Sequence, residues 1–198
     1  SFFLRTNSFI IKSMNIGSHI PSKKAIEEIE YRKGDTFQIF ISSPMMWKSP
    51  KPREDVDILK EYKGNIYVHA PYLLNLASPN NKVRHPSRKL LKETCKVAAT
   101  FGAKGVVVHG GSVGEGGDIG EGYKNWAKAI KEVEDTGMRV LVENTAGGKN
   151  SVARYMDSIE RLWEVVGHLN VGLCLDTCHT WAGGIPTKDA VKGFKKLV

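Results

Sequence analysis

Residues 105–109 read Gly-Val-Val-Val-His, and residues 139–143 read Arg-Val-Leu-Val-Glu. Each stretch is a nearly unbroken aliphatic run that ends on an ionisable side chain. Such runs are typical of parallel strands that are covered on both faces. His109 and Glu143 would then lie at the carboxyl edge of the sheet, where the active sites of α/β barrels are found.

The same alternation of short apolar runs and longer amphipathic stretches extends from Asn15 to the end of the sequence. It predicts six strands, each followed by a helix. The predicted strands are Asn15–His19, Thr36–Ile41, Asn65–His69, Gly105–His109, Arg139–Glu143 and Asn170–Asp176. The predicted helices are Lys23–Tyr31, Arg53–Tyr62, Pro86–Phe101, Gly122–Thr136, Val152–Val166 and one from Thr187 to the end.

Six βα units fit either an open doubly wound sheet or a barrel of eight units. Polar residues end four consecutive predicted strands: His69, His109, Glu143 and Asp176. In a barrel these side chains converge on one face, whereas an open sheet would spread them along an edge. We therefore predict an α/β fold of the (β/α)8 TIM-barrel class. Residues 14–198 would supply about the first six units, without strands seven and eight.

These four side chains suit a metal site. Two imidazoles and two carboxylates in an apolar cavity would be costly to leave unpaired, but they are natural ligands for zinc or a similar divalent cation. His179, on the predicted loop after strand six, can face the same cavity. A lone histidine at a strand end is more often a hydrogen-bonded core residue, and the four residues in register favour metal binding. Cys174 and Cys178 are interpreted as packing residues.

The composition points to a polyanionic partner. The formal net charge is +8, which favours nucleic acid, although a solvated basic face is the alternative. No run approaches the roughly 20 apolar residues of a membrane-spanning helix, so no membrane partner is expected. Three cysteines form no disulfide framework and favour an intracellular, reducing compartment. Cytoplasm or nucleus is expected, and residues 1–13, which resemble a leader, transit peptide or tag, leave the mitochondrion open.

Four motifs lie at the ends of predicted strands. They are HAPYLLNLA at 69–77, HGGS at 109–112, ENTAG at 143–147 and GLCLDTCH at 172–179. In order and spacing they resemble the signatures of the endonuclease IV family of abasic-site endonucleases, also called AP endonuclease family 2. The resemblance runs from about Met14 to the end of the sequence, and the first and last motifs are the most specific.

The resemblance implies three zinc ions. By position, His69 and His109 would bind one ion, and Glu143 would bridge it to a second. Asp176 would bind the second ion and His179 the third, with Glu143 as the residue on which catalysis depends most. The family's remaining ligands belong to strands seven and eight, which are not in this sequence. We therefore expect a C-terminally truncated chain that does not cleave DNA by itself.

The resemblance also implies the substrate. It is double-stranded DNA with abasic sites, cut by a monomeric enzyme at the phosphodiester 5′ of the abasic sugar to leave a 3′-hydroxyl. Tyr72 and Leu73 match family residues that enter the minor groove, with loop packing as the alternative. Trp47 lies in the second loop, where Met45 occupies a position that is often Arg in the family. Basic residues in these loops would follow the DNA backbone: Lys48, Lys51, Arg53, Lys82, Arg84, Arg88 and Lys89.

Two other functions fit parts of the sequence. A sugar isomerase or epimerase also places Glu, Asp and His at barrel strand ends around divalent metals. Finding zinc rather than manganese or magnesium would argue against it. An inactive fragment that binds DNA without cutting it is the second alternative.

Overall fold

Six parallel strands pair side by side in the order in which they occur in the chain. The computed structural model describes residues 14–148 and 150–198, so the predicted extension over residues 1–13 lies outside the described residues. The strands are β1 (Gly17–His19), β2 (Thr36–Ile39), β3 (Asn65–His69), β4 (Gly105–His109), β5 (Val140–Glu143) and β6 (Val171–Cys174). The helices are α1 (Ala25–Tyr31), α2 (Val56–Glu61), α3 (Asn81–Thr100), α4 (Ile119–Val133), α5 (Met156–Val166), α6 (Thr177–Gly183) and α7 (Thr187–Leu197).

The strand order distinguishes the two folds that the sequence allows. In a doubly wound sheet the order reverses at a switch point. Here each strand lies next to its predecessor from β1 to β6, and every pairing is parallel. The six units therefore form part of a (β/α) barrel, as predicted.

Buried side chains between the sheet and the helices fix the strand ends. Val106 and Val108 of β4 are 0% and 1% exposed, and Trp126 of α4 is 0% exposed. Fully burying an aliphatic side chain of this kind contributes about 1.5–3 kcal/mol. Trp126 also donates its indole N–H to the Gly110 carbonyl oxygen at 2.7 Å, which ties α4 to the loop after β4.

Helix α3 begins before its predicted start at Pro86. The Asn80 side chain accepts the Lys82 N–H at 2.9 Å and caps the helix one turn earlier. Pro86 therefore lies inside α3 rather than at its first turn. The missing N–H of Pro86 costs one backbone hydrogen bond. In the same turn the Ser87 hydroxyl donates to the Val83 carbonyl at 2.7 Å.

Helix α5 begins at Met156 rather than at Val152 as predicted. Val152 is buried in the preceding loop, where its N–H donates to the Gly111 carbonyl oxygen at 3.0 Å. Its apolar side chain therefore belongs to loop packing and not to a helix face. The remaining predicted elements are present, with bounds that differ by a few residues.

The sixth unit differs most from the prediction. Strand β6 ends at Cys174, so Asp176 lies beyond it and caps α6, with its Oδ1 accepting the His179 N–H at 2.8 Å. His179 consequently lies on a helix and not on a loop. Seven residues of mixed polarity show no helical periodicity, so the sequence pattern could not predict α6. Over the described ranges, none of the helices combines the length and the apolar character that a membrane span requires.

Candidate metal centre

Strands β3, β4 and β5 bring three ionisable side chains to one point. His69 and Glu143 are buried, at 6% and 5% exposure. His69 Nε2 lies 3.0 Å from Glu143 Oε2, and His109 Nε2 lies 3.7 Å from Glu143 Oε1. The ligand atoms of the three residues all lie within 4.8 Å of one another, so they form a triad that could hold a metal ion.

A second triad shares the Glu143 carboxylate. His179 Nδ1 lies 3.1 Å from Glu143 Oε1 and 3.5 Å from Asp176 Oδ2. The ligand atoms of these three residues also lie within 4.8 Å of one another. The structure therefore brings all five predicted ligand residues together, with Glu143 common to both triads.

Main-chain oxygens orient two of the imidazoles. Ala70 O lies 2.7 Å from His69 Nδ1, and Asn144 O lies 2.8 Å from His179 Nδ1. A carbonyl oxygen only accepts, so in each neutral ring Nδ1 carries the proton and Nε2 keeps a lone pair. The bare Nε2 of His69 then faces a second acceptor, Glu143 Oε2, at 3.0 Å. Two lone pairs that face each other repel, and a cation between them would be bound by both atoms. The side chains at this site therefore fit a metal ion.

The Glu143 carboxylate is held in its charged form. Burial raises its pKa, but hydrogen bonds and positive charge from His109 and His69 in their protonated forms outweigh that effect and lower the pKa to about 2. A bound cation would take the place of those protons. Metal ligands of this type must be deprotonated, and Glu143 meets that condition at neutral pH. Burial raises the pKa of the Cys174 thiol to about 12, which disfavours Cys174 as a ligand. Cys178 is exposed and does not pack in the interior as predicted.

An aromatic wall lies against the two imidazoles of the first triad. The Tyr72 ring stacks on His109 with centroids 5.3 Å apart and planes at 5°. Phe40 lies 5.2 Å from both His69 and Tyr72. The cavity beside the wall has a volume of about 380 Å³ and includes Gln38. Sequence reasoning missed Phe40 and Gln38, because neither carries a charge and both sit in an ordinary strand pattern.

Among the predicted DNA-contacting residues, Tyr72 lines this cavity. Tyr72 is 47% exposed and Trp47 is 50% exposed. The Tyr72 N–H donates to the Pro44 carbonyl oxygen at 2.9 Å, which joins the loop that carries Met45 and Trp47 to the cavity rim. Leu73 lines an adjoining cleft of about 280 Å³ together with Tyr72.

Three predicted backbone-contacting arginines are engaged within the protein. Arg53 forms an ion pair with Asp55 at 2.6 Å. Arg88 is only 7% exposed and binds Glu132 of α4 at 3.0 Å, so its assignment to a DNA-facing surface is wrong. Arg84 donates to the carbonyl oxygens of the loop before α3, at 2.7 Å and 2.9 Å, and a DNA contact by this residue stays a prediction.

Comparison with known proteins agrees with this geometry. The family described as xylose isomerase-like TIM barrel matches residues 28–198. Over 184 residues the chain is 50% identical to a protein of Mycobacterium tuberculosis named probable endonuclease 4. The aligned residues cover 93% of this chain and 73% of that protein. The chain belongs to the endonuclease IV family.

Solved structures agree with membership in the endonuclease IV family. Endonuclease IV from Thermus thermophilus matches with a TM-score of 0.70 and 30% identity, over 85% of this chain and 65% of that one. A D-tagatose 3-epimerase-like protein matches with a TM-score of 0.70 at 21% identity, over 91% of this chain and 72% of that one. At that identity the second match concerns the fold alone.

Proposed function

We propose that this protein is a DNA repair endonuclease that hydrolyses the phosphodiester 5′ of abasic sites and leaves a 3′-hydroxyl. The shared Glu143 carboxylate carries the proposal, because it lies between imidazoles of both triads. The 50% identity to proteins named endonuclease 4 supports DNA rather than a free sugar as the substrate.

The residues of the two triads would hold divalent cations. His69, His109 and Glu143 would hold one, and Glu143 and Asp176 would hold a second, with His179 beside them as the residue that the resemblance assigns to a third. Zinc is the ion expected from imidazole and carboxylate donors, with a third ion implied by the family resemblance. Bound zinc supplies Lewis-acid activation of water and neutralises charge on the phosphate. The chain contributes an ionised carboxylate and imidazoles whose tautomers are fixed by main-chain oxygens.

The surrounding side chains would select an abasic nucleotide. A nucleotide without its base is cheaper to extrude from the duplex than a paired one. The exposed Tyr72 ring and Leu73 would enter the minor groove beside it, with Trp47 on the neighbouring loop. Phe40 and the stacked Tyr72–His109 pair would exclude water from one side of the extruded sugar.

The test is incision of a labelled duplex that contains one abasic site. The full-length protein should cut on the 5′ side of the site and leave an end that a DNA polymerase extends, while an intact duplex stays uncut. Glu143→Ala should lose the activity, which also excludes a contaminating nuclease. Binding of the abasic duplex without any cleavage would favour the alternative of an inactive DNA-binding protein. Equal cleavage by Glu143→Ala would contradict the proposal.

A further inference from the structure

Asn144 follows Glu143 and is 1% exposed. Its side-chain amide makes two hydrogen bonds with the main chain of Asp176. The Asp176 N–H donates to Asn144 Oδ1 at 2.7 Å, and Asn144 Nδ2 donates to the Asp176 carbonyl oxygen at 3.0 Å. Both polar groups of the buried amide are therefore satisfied by one residue at the start of α6.

The main chain of Asn144 acts on the next candidate ligand. Its carbonyl oxygen accepts from His179 Nδ1 at 2.8 Å. Asp176 in turn uses Oδ1 to cap α6 through the His179 N–H, at 2.8 Å, so that Oδ2 is the carboxylate oxygen left for the cavity. One residue thus fixes the backbone of Asp176 and the tautomer of His179.

We propose that Asn144 is a positioning residue whose side-chain amide sets the metal affinity of the second triad by fixing the main chain of Asp176. The inference rests on the proposed function, in which this triad holds a cation. Partners that orient metal ligands typically change affinity by about 10- to 100-fold when they are removed. Glu143 belongs to both triads, whereas the Asn144 amide and carbonyl oxygen bond to Asp176 and His179, which both follow β6.

The chain contains a matched control two βα units earlier. Asn75, in the loop after β3, donates from Nδ2 to the Ser112 carbonyl oxygen at 2.8 Å and accepts the Ser112 N–H at 3.2 Å. This is the same pair of hydrogen bonds between consecutive strand-end loops. Neither Asn75 nor Ser112 belongs to a triad. Loss of the Asn75 pair should therefore disturb loop packing without acting on the second triad.

The experiment is a calorimetric titration of the metal-free protein with Zn²⁺ alone. Asp176→Ala defines the binding phase of the second triad, because it removes that phase. Asn144→Ala should weaken zinc affinity in the same phase by about 10- to 100-fold. The phase that His69→Ala removes should be unchanged in Asn144→Ala. Both phases should be unchanged in Asn75→Ala. Asn144→Ser, which keeps a hydroxyl in the buried position, is expected to show the same loss if the alanine variant does not fold. In an Asp176→Ala background, Asn144→Ala should have a much smaller effect on zinc affinity.

The outcomes separate the two proposals. Unchanged zinc affinity in the folded Asn144 variants, or an equal loss in Asn75→Ala, would overturn the positioning role while the metal centre stands. Absence of zinc binding by the parent protein would overturn the metal centre and the positioning role with it.

Discussion

At the end of β5, the Glu143 carboxylate faces imidazoles on both of its oxygens. Oε2 lies 3.0 Å from His69, while Oε1 lies 3.1 Å from His179 and 3.7 Å from His109. Removing one imidazole leaves the other two contacts, whereas removing the carboxylate affects both triads. Substituting Glu143 should therefore release more bound cations than substituting any one of the histidines.

We expect this difference to appear in metal stoichiometry. His69→Ala should lose the ion of the first triad and Asp176→Ala that of the second triad, whereas Glu143→Ala should lose both. Elemental analysis after dialysis against equal free zinc measures the ions retained per chain. Folding of each variant is checked by circular dichroism. Equal retention by Glu143→Ala and His69→Ala would contradict the shared role of Glu143.

The sequence predicted some of these residues better than others. His69, His109 and Glu143 end regular aliphatic strands, so alternation alone placed them at one edge of the sheet. After β6, Asp176 caps and His179 lies on a short helix that no periodic pattern marks. Asn144 was quoted within a motif, but its role depends on a long-range contact with Asp176 that local sequence does not encode.

At the level of elements, side-chain hydrogen bonds join the loops between strands and helices to one another. Arg53 precedes α2 and donates to both oxygens of Asp55 at 2.7 Å and 2.6 Å. It also donates to the Ser22 carbonyl oxygen at 2.8 Å, in the loop after β1. The Arg53 hydrogen bond lowers the pKa of Asp55 despite partial burial.

This ion pair should make stability depend on pH. Because the pKa of Asp55 is lower in the folded state, its contribution is present above the usual value of 3.8 and is lost as the pH falls below it. Asp55→Asn should reduce the free energy of unfolding by about 1 kcal/mol at pH 7, a modest value because the pair is partly exposed to water. Urea unfolding at several pH values should show the difference between parent and variant shrinking in acid. A difference that grows in acid, or an equal effect of the exposed Glu54→Gln, would contradict this assignment.

Close approach between the loops after β4 and β5 requires glycine at position 110. A Cβ on Gly110 would lie 2.3 Å from the Ala153 Cβ. Gly110→Ala should therefore destabilise the fold by about 1–3 kcal/mol through overpacking. At Gly147, in the loop after β5, no described atom lies within 4 Å of the corresponding Cβ, so Gly147→Ala is the control. Thermal unfolding of both variants tests this contact, and equal midpoints would argue against it.

Some bounds of the strands and helices could be predicted from the sequence pattern, and others could not. Strands β3 and β4 have the predicted bounds because apolar runs define them. The start of α3 depends instead on the Asn80 cap, which overrides the signal from Pro86. The start of α5 depends on whether Val152 packs in a loop or on a helix, and only tertiary contacts decide that.

For the whole molecule, the strand-end face combines the two triads with an exposed rim. Lys48 and Lys51 are exposed on the loop after β2, which also carries Trp47. Lys104 is exposed just before β4 and therefore lies at the opposite end of the sheet. The predicted barrel class was correct, and each of the six strands lies next to the preceding one.

DNA binding should depend on the charges of this rim. The affinity of the full-length protein for an abasic duplex should fall steeply with salt, and each lost phosphate contact should lower the slope by about 0.9. Lys48→Ala with Lys51→Ala should reduce the slope, whereas Lys104→Ala should leave it unchanged. Fluorescence anisotropy in a Glu143→Ala background measures binding without cleavage. A slope that responds to Lys104 instead would place the DNA on the other face.

The identity of the metal tests the proposed metal centre most directly. X-ray absorption at the zinc edge of the purified full-length protein should show zinc with nitrogen and oxygen ligands at about 2.0–2.2 Å. Glu143→Ala should lose that signal. A site occupied by manganese or magnesium in place of zinc, or a zinc signal unchanged by Glu143→Ala, would contradict the assignment.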